Sequence, residues 1–215
     1  MVFDIIFLDG KDLTGRPLAA RRLILEEAMV VSDRIQISPA TEGSGVALFE
    51  AAAAQGLEGI MAKRKSSTYR PGARSKDWLK AKVTFDADVV IVGWTEGEGG
   101  RAGTLGSLVM AVYDGDELRY VGNVGTGFDK RSLSETKEQL EALQETEAPF
   151  PADVVRSRTE LRRAHWVEPD LVARVEHRQL TEAGRLRAPS FQGFREDKAP
   201  RDCTWEQLAS ESSLS

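Results

Sequence analysis

Apolar and polar positions alternate in some stretches of the chain and recur at helical spacing in others. Val2 to Leu8 (VFDIIFL) is apolar and β-rich, and Asp9-Gly10 follows, which predicts a strand ending in a turn. Leu18 to Val31 has helical spacing and strong helix formers. Arg34 to Pro39 reads as a short strand. Ser44 to Gln55 predicts a helix capped by Ser44 and ended by Gly56. Leu57 to Lys63 predicts a short strand and Ser66 to Asp77 a polar loop around Pro71-Gly72. Trp78 to Val83 alternates like a strand, with Lys80 and Lys82 on one face and Leu79 and Ala81 on the other.

The character changes after Val83. Phe85 to Thr95 predicts a strand running into a loop with five glycines between Gly97 and Gly106. That loop lacks the Walker pattern and a following helix, so it reads as a hairpin loop. Leu105 to Tyr113 and Glu117 to Val124 predict a hairpin across Asp114-Gly115-Asp116. Phe128 to Gln144 predicts a helix. Trp166 to Leu180 predicts one or two strands broken by Pro169, and Ser210 to Ser215 a disordered tail. Strands, one helix and Gly-rich turns predict a small β-barrel after a boundary near Val83–Asp86.

Composition narrows the classes. No run of about eighteen apolar residues is present, so nothing predicts a membrane span, and no secretory signal is visible at Met1 to Ile6. A single cysteine, Cys203, excludes an intrachain disulfide framework, and a reduced, cytoplasmic compartment is expected. His165, His177 and Cys203 read as packed or inert residues, and Trp78, Trp94 and Trp205 as packing anchors. The net charge of −5 argues against a nucleic-acid binder only as a total. Residues 1–82 carry 13 Lys+Arg against 10 Asp+Glu, and Lys63 to Lys82 holds eight bases and one acid, Asp77. Such a local patch suits phosphate, although a solvated surface run has the same composition.

The densest candidate chemistry is Glu58-Gly59-Ile60-Met61-Ala62-Lys63 with Trp78-Leu79-Lys80-Ala81-Lys82 downstream. The lysines can neutralise a phosphoryl group while the carboxylate holds a divalent metal opposite them. On spacing alone EGxxxK and KxK also arise by chance.

These segments resemble motifs IV and V of the covalent nucleotidyltransferases: ATP-dependent DNA ligases, RNA ligases and capping enzymes. Arg187 to Lys198 (RAPSFQGFREDK) looks like motif VI with its RxDK core, and Val2 to Gly10 looks like motif III. The order is that of the family, and the flavour is close to the ligase module of ligase D, the end-joining ligase. The resemblance implies an α+β architecture. Residues 1–83 would form the C-terminal half of an ATP-grasp-like adenylation domain, residues 84–209 an OB-fold, and 210–215 the tail. It also implies roles. Phe3 would stack on adenine, with Lys63 also at the nucleotide. Glu58 would sit by the metal (Mg²⁺ or Mn²⁺) and the α-phosphate, and Lys80 and Lys82 would contact that phosphate. Arg195, Asp197 and Lys198 would engage the outer phosphates of ATP. Arg70, Arg74 and Lys76 are the candidates for DNA contact, with nicked duplex as partner and the nucleoid as location.

The departure is motif I, KxDG, which carries the nucleophilic lysine. Asp9-Gly10 is preceded by Phe7-Leu8 and Asp114-Gly115 by Val112-Tyr113, so the chain contains no KxDG. The expectation is a ligase fragment unable to adenylate itself, with another polypeptide supplying the first half of the adenylation domain. The alternatives are a non-catalytic OB-fold binding module and a capping-type remnant.

Overall fold

The computed structural model describes residues 1–213. The chain divides into two compact units, Met1–Val83 and Thr84 onward.

In the first unit β1 (Phe7–Leu8) pairs antiparallel with β2 (Lys11–Asp12). The expected strand over Val2–Leu8 is therefore short. Val2 instead forms an isolated parallel bridge to Ile37, and of the strand expected over Arg34–Pro39 there remain this bridge and an isolated antiparallel one between Ser32 and Ile35. Helix α1 (Leu18–Ala28) stops three residues early: Met29 is extended, and β-branched Val30 and Val31 lie in solvent. Helix α2 (Gly45–Ala54) is capped by Ser44, whose Oγ accepts the Ala47 N–H at 3.3 Å. β3 (Gly59–Lys63) and β4 (Trp78–Lys82) form an isolated antiparallel hairpin.

The core of this unit is small. It comprises Leu13, Leu18, Leu25, Ala52 and Val83, around a buried ion pair. Arg21 Nε donates to Asp4 Oδ1 at 2.9 Å and Nη2 to Oδ2 at 2.8 Å, with side chains 0% and 3% exposed. Arg21 Nη1 also donates to the carbonyl of Ser67 at 3.2 Å. One guanidinium thus ties the N-terminal segment, α1 and the polar loop together. Among the described residues, every exposed large hydrophobic falls in this unit, including Phe7, Leu23, Val46, Met61 and Leu79.

The second unit is built on a six-stranded antiparallel sheet. Its long strands are β5 (Phe85–Glu96), β6 (Leu105–Asp114) and β7 (Glu117–Val124). After α3 (Lys130–Glu141), β8 (Gln144–Glu145), α4 (Ala152–Arg156) and α5 (Thr159–Arg162) comes β9 (His165–His177). A small pair, β10 (Gln179–Leu180) and β11 (Leu186–Arg187), precedes β12 (Ser190–Phe194), and α6 (Trp205–Ser213) ends the described chain. The order is β12-β9-β5-β6-β7, with β8 also on β9.

Val89 to Val92 and Leu108 to Val112 are 0% exposed, so both central strands are buried on both faces. The sheet does not close by a ladder. Its ends approach where Phe191 N donates to Thr126 O at 2.9 Å, just beyond β7. Gly127, at φ 95°, permits this: a Cβ there would lie 2.1 Å from the Phe191 carbonyl oxygen. This is the partly open form of a small OB-type barrel.

Two expectations fail here. Pro169 does not break β9. It falls in a bulge, where the β5 pairing steps from Ile91↔Leu171 to Gly93↔Trp166, so its missing N–H costs no rung. The tail is not disordered over 210–213, which belong to α6. Leu208, 3% exposed, anchors that helix on the core, while Leu214 and Ser215 lie outside the described residues.

His177 lies at the start of the sheet, opposite Phe85, and is 1% exposed. Neither ring nitrogen makes a hydrogen bond of good geometry, the Gln179 backbone being the polar group that faces the ring. Burial pushes its pKa below the ordinary 6.5, and the Gln179 backbone and the Asp86 charge offset only part of this. The unfolded chain therefore binds the proton more readily. This contribution to stability is whole above pH 6.5 and declines as pH falls below it toward the depressed folded pKa. Denaturant melts across that window should show a shallower pH dependence in His177→Gln than in the parent. Identical slopes would refute the assignment.

Candidate nucleotide and phosphate site

The hairpin register brings together what the sequence left apart. Gly59 pairs with Lys82, Met61 with Lys80, and Lys63 with Trp78. Directly opposed residues share a face, so Lys63, Lys80 and Lys82 project from one side of the sheet. Gly59 is required for this approach: its φ is 131°, and a Cβ would lie 2.1 Å from the Ala81 carbonyl oxygen. Val83 N donates to Glu58 O at 3.1 Å, which seals the hairpin end and fixes Glu58 beside the lysines. The Glu58 carboxylate stands 3.9 Å from Lys80 Nζ, both side chains being well exposed.

Phe3 arches over the same hairpin. Lys63 Nζ lies 4.3 Å from the Phe3 ring centre and 4.1 Å from that of Trp78. Tyr69 meets Trp78 edge-on at 5.8 Å. The Lys63 ammonium is thus held by two aromatic faces. Its pKa is lowered, first by burial and then by Arg22 and Arg21, against the opposing charge of Asp4. Phe3 keeps 52% of its surface exposed.

The basic run is less cationic than its composition. Arg64 pairs with Asp77 at 2.9 Å, and Lys65 pairs with Glu42 from the segment before α2. Arg70, Arg74 and Lys76 are exposed on the loop between β3 and β4. Among the described residues no group of three or more His, Cys, Asp or Glu is placed to hold a metal ion.

In the second unit the RxDK segment follows β12. Phe191 stacks on Phe128 at 4.4 Å and meets Phe194 edge-on at 5.2 Å, which anchors the strand. Arg195 N then donates to Val172 O at 2.8 Å. The Arg195 guanidinium forks onto Asp197 through two bonds of 2.7 Å. That bond holds the Asp197 carboxyl down at about 2 and pushes the arginine up. Asp88 on β5 and Arg174 on β9 join the cluster, as do Arg195 and Lys198. Cys203, 1% exposed, has its thiol pushed up to about 11 by burial, which fits an inert residue.

Sequence reasoning missed Asp4, Arg21, Asp88 and Arg174. The signal for Arg21 was present: it shares the Leu18 and Leu25 face of α1, a charge in an apolar stripe.

A lysine-rich hairpin with an adjacent aromatic, followed by an OB-type sheet ending in an RxDK loop, defines the nucleotidyltransferase–OB class. A family model described as ATP dependent DNA ligase domain matches residues 1–82, and one described as ATP dependent DNA ligase C terminal region matches 101–198. The chain belongs to the ATP-dependent DNA ligases. It is 39% identical over 204 residues to the multifunctional non-homologous end joining protein LigD of Mycolicibacterium smegmatis, covering 95% of this chain and 26% of that protein. It is 35% identical to a DNA ligase of Thermococcus fumicolans, covering 98% of this chain and 38% of the relative. The crystal structure of the ligase domain from M. tuberculosis LigD matches with TM-score 0.52 and 36% identity, over 94% of this chain and 65% of that one. The chain therefore spans about a quarter of the LigD relatives it matches.

Proposed function

We propose that the chain supplies the phosphate-handling part of an ATP-dependent DNA ligase of the LigD kind, which joins nicks or ends through lysyl-AMP and DNA-adenylate intermediates. The observation that carries this reading is the shared face of Lys63, Lys80 and Lys82 beside Glu58. Adenylyl transfer develops charge on the α-phosphate, and fixed ammonium groups stabilise it without reorganising. Adenine would stack on the exposed side of Phe3, whose orientation Lys63 and Trp78 set. Arg195 and Lys198 would meet the β- and γ-phosphates and the departing pyrophosphate, with Asp197 held on the Arg195 fork beside them.

A hard divalent cation needs only one or two protein carboxylates when phosphates and water complete its shell. Glu58 fits that role for Mg²⁺ or Mn²⁺, and the ion would supply further charge neutralisation. The nucleophilic lysine would come from a KxDG-bearing segment outside these 215 residues. The exposed apolar residues of the first unit support a covering segment of that kind. The nucleoid would be the place of action. No helix among the described residues is long and apolar enough to cross a membrane.

Duplex DNA would meet Arg70, Arg74 and Lys76. Binding to duplex should be weak, independent of sequence and steeply salt-dependent, because phosphate contacts release counterions. Arg70→Ala with Arg74→Ala should lower the slope of log affinity against log salt by about 2 if both reach phosphates. A salt-independent affinity, or an unchanged slope in the double variant, would remove this loop from the DNA interface.

A further inference from the structure

Asp88 belongs to none of the motifs, yet three cations converge on it. Lys198 Nζ donates to Oδ2 at 3.1 Å, Arg195 Nη1 to both oxygens at 3.3 Å and Arg174 Nε to Oδ1 at 3.3 Å. Arg174 is its direct cross-strand partner, and Gly193 of β12 is opposite Arg174 on the other side. One row of the sheet therefore carries the carboxylate under the start of the RxDK loop.

Exposure is graded across the cluster. The side chain of Asp88 is 11% exposed, those of Lys198 and Arg195 23% and 24%, and that of Asp197 70%. The carboxylate forms the floor, the cations lie above it, and Asp197 is outermost. A cavity of ≈ 130 Å³ lined by Asp86, Asp88, Arg174, Lys198, Thr204 and Gln207 opens beside them. Burial pushes the Asp88 carboxyl up, but hydrogen bonds from Lys198 and Arg174 and the charges of Lys198 and Arg195 outweigh it, so it stays ionised.

We infer that Asp88 is a positioning residue for polyphosphate: it holds Arg195 and Lys198 from below in the arrangement that receives the anion, and keeps them when the anion binds. Long cationic side chains lose conformational freedom on gripping a ligand, and a fixed counter-ion removes that cost in advance. The group that yields to an incoming phosphate is Asp197, which covers the Arg195 fork from the solvent side. The inference rests on reading Arg195 and Lys198 as polyphosphate ligands.

Inorganic pyrophosphate binding to the full chain, followed by calorimetry, tests it. Charge counting alone makes Asp88→Asn bind the anion more tightly. Positioning requires the opposite: affinity falls roughly tenfold or more, Asp88→Glu restores part of it, and the Asp88→Asn loss shrinks in a Lys198→Ala background. Unchanged or tighter binding in a folded Asp88→Asn variant overturns the inference, as do additive losses. Arg195→Ala and Lys198→Ala with no effect on binding would sink the phosphate assignment itself. A second measurement needs no substitution. On titrating the parent with pyrophosphate, the side-chain carboxyl ¹³C signal of Asp88 should stay in place while that of Asp197 moves. A shift of Asp88 toward a freed carboxylate would make it a competitor of the ligand and end the proposal.

Discussion

Replacing Lys80 or Lys82 by alanine is expected to cost roughly a hundredfold or more in adenylyl transfer once the chain works with a segment carrying KxDG. The two lysines stand on one face of the β3–β4 hairpin, and under the proposed function charge would develop on the α-phosphate oxygens beside them. Such contacts strengthen in the transition state, so the loss should appear in kcat rather than only in KM. Glu58→Ala should fall in the same range. Arg195→Ala and Lys198→Ala should behave differently. They should slow the step that expels pyrophosphate and spare the sealing of a nick that already carries AMP. Equal losses in both steps would detach the RxDK loop from the ATP reaction, and a kcat unchanged in Lys80→Ala would detach the hairpin from the chemistry.

The largest expected effect on stability comes from Arg21. Replacing it by leucine leaves the Asp4 carboxylate, 3% exposed, without its ionic partner, and leaves the Ser67 carbonyl with the Leu18 N–H as its remaining donor. Breaking one side of a buried pair costs about 3–5 kcal/mol. That is a large share of any domain's margin, and the small core of the first unit has little to offset it. Asp4 is adjacent to Phe3, so the aromatic over the hairpin should be displaced too. Denaturant melts read by the fluorescence of Trp78 should show the first transition moved or lost, with the second unit unchanged. Replacing Asp4 and Arg21 together by apolar residues should be milder than either single change. A single change with no effect would mean that the pair does not hold the unit together.

The physical reason why some of this was legible in the sequence lies in range. Helix α2 is local: Ser44 caps it and Gly56, at φ 66°, ends it, so both boundaries can be read off neighbouring residues. The alternation of Trp78 to Lys82 likewise displays its lysine face without knowledge of its partner. Val2 to Leu8 misleads because Asp4 turns inward to Arg21, seventeen residues on, and hydropathy does not register such a pairing. Pro169 misleads because a bulge depends on the register of β5 against β9. Asp88 was invisible for the same reason. An acid alternating with Ala87 and Val89 looks like a solvated strand position, while its partners lie 86, 107 and 110 residues away. The charge count of the basic run overstated the patch because Glu42 comes to Lys65 from outside it.

The proposed function divides the labour: these residues bind phosphate and a KxDG lysine from elsewhere attacks. Incubation with α-labelled ATP and Mg²⁺ or Mn²⁺, followed by denaturing electrophoresis, tests it most directly. The 215-residue chain alone should stay unlabelled. With a segment carrying KxDG present, label should appear on that segment and vanish when Lys80 or Lys82 of this chain is alanine. Stoichiometric labelling of the chain by itself would contradict the account, since a lysine assigned here to phosphate binding would then be the nucleophile.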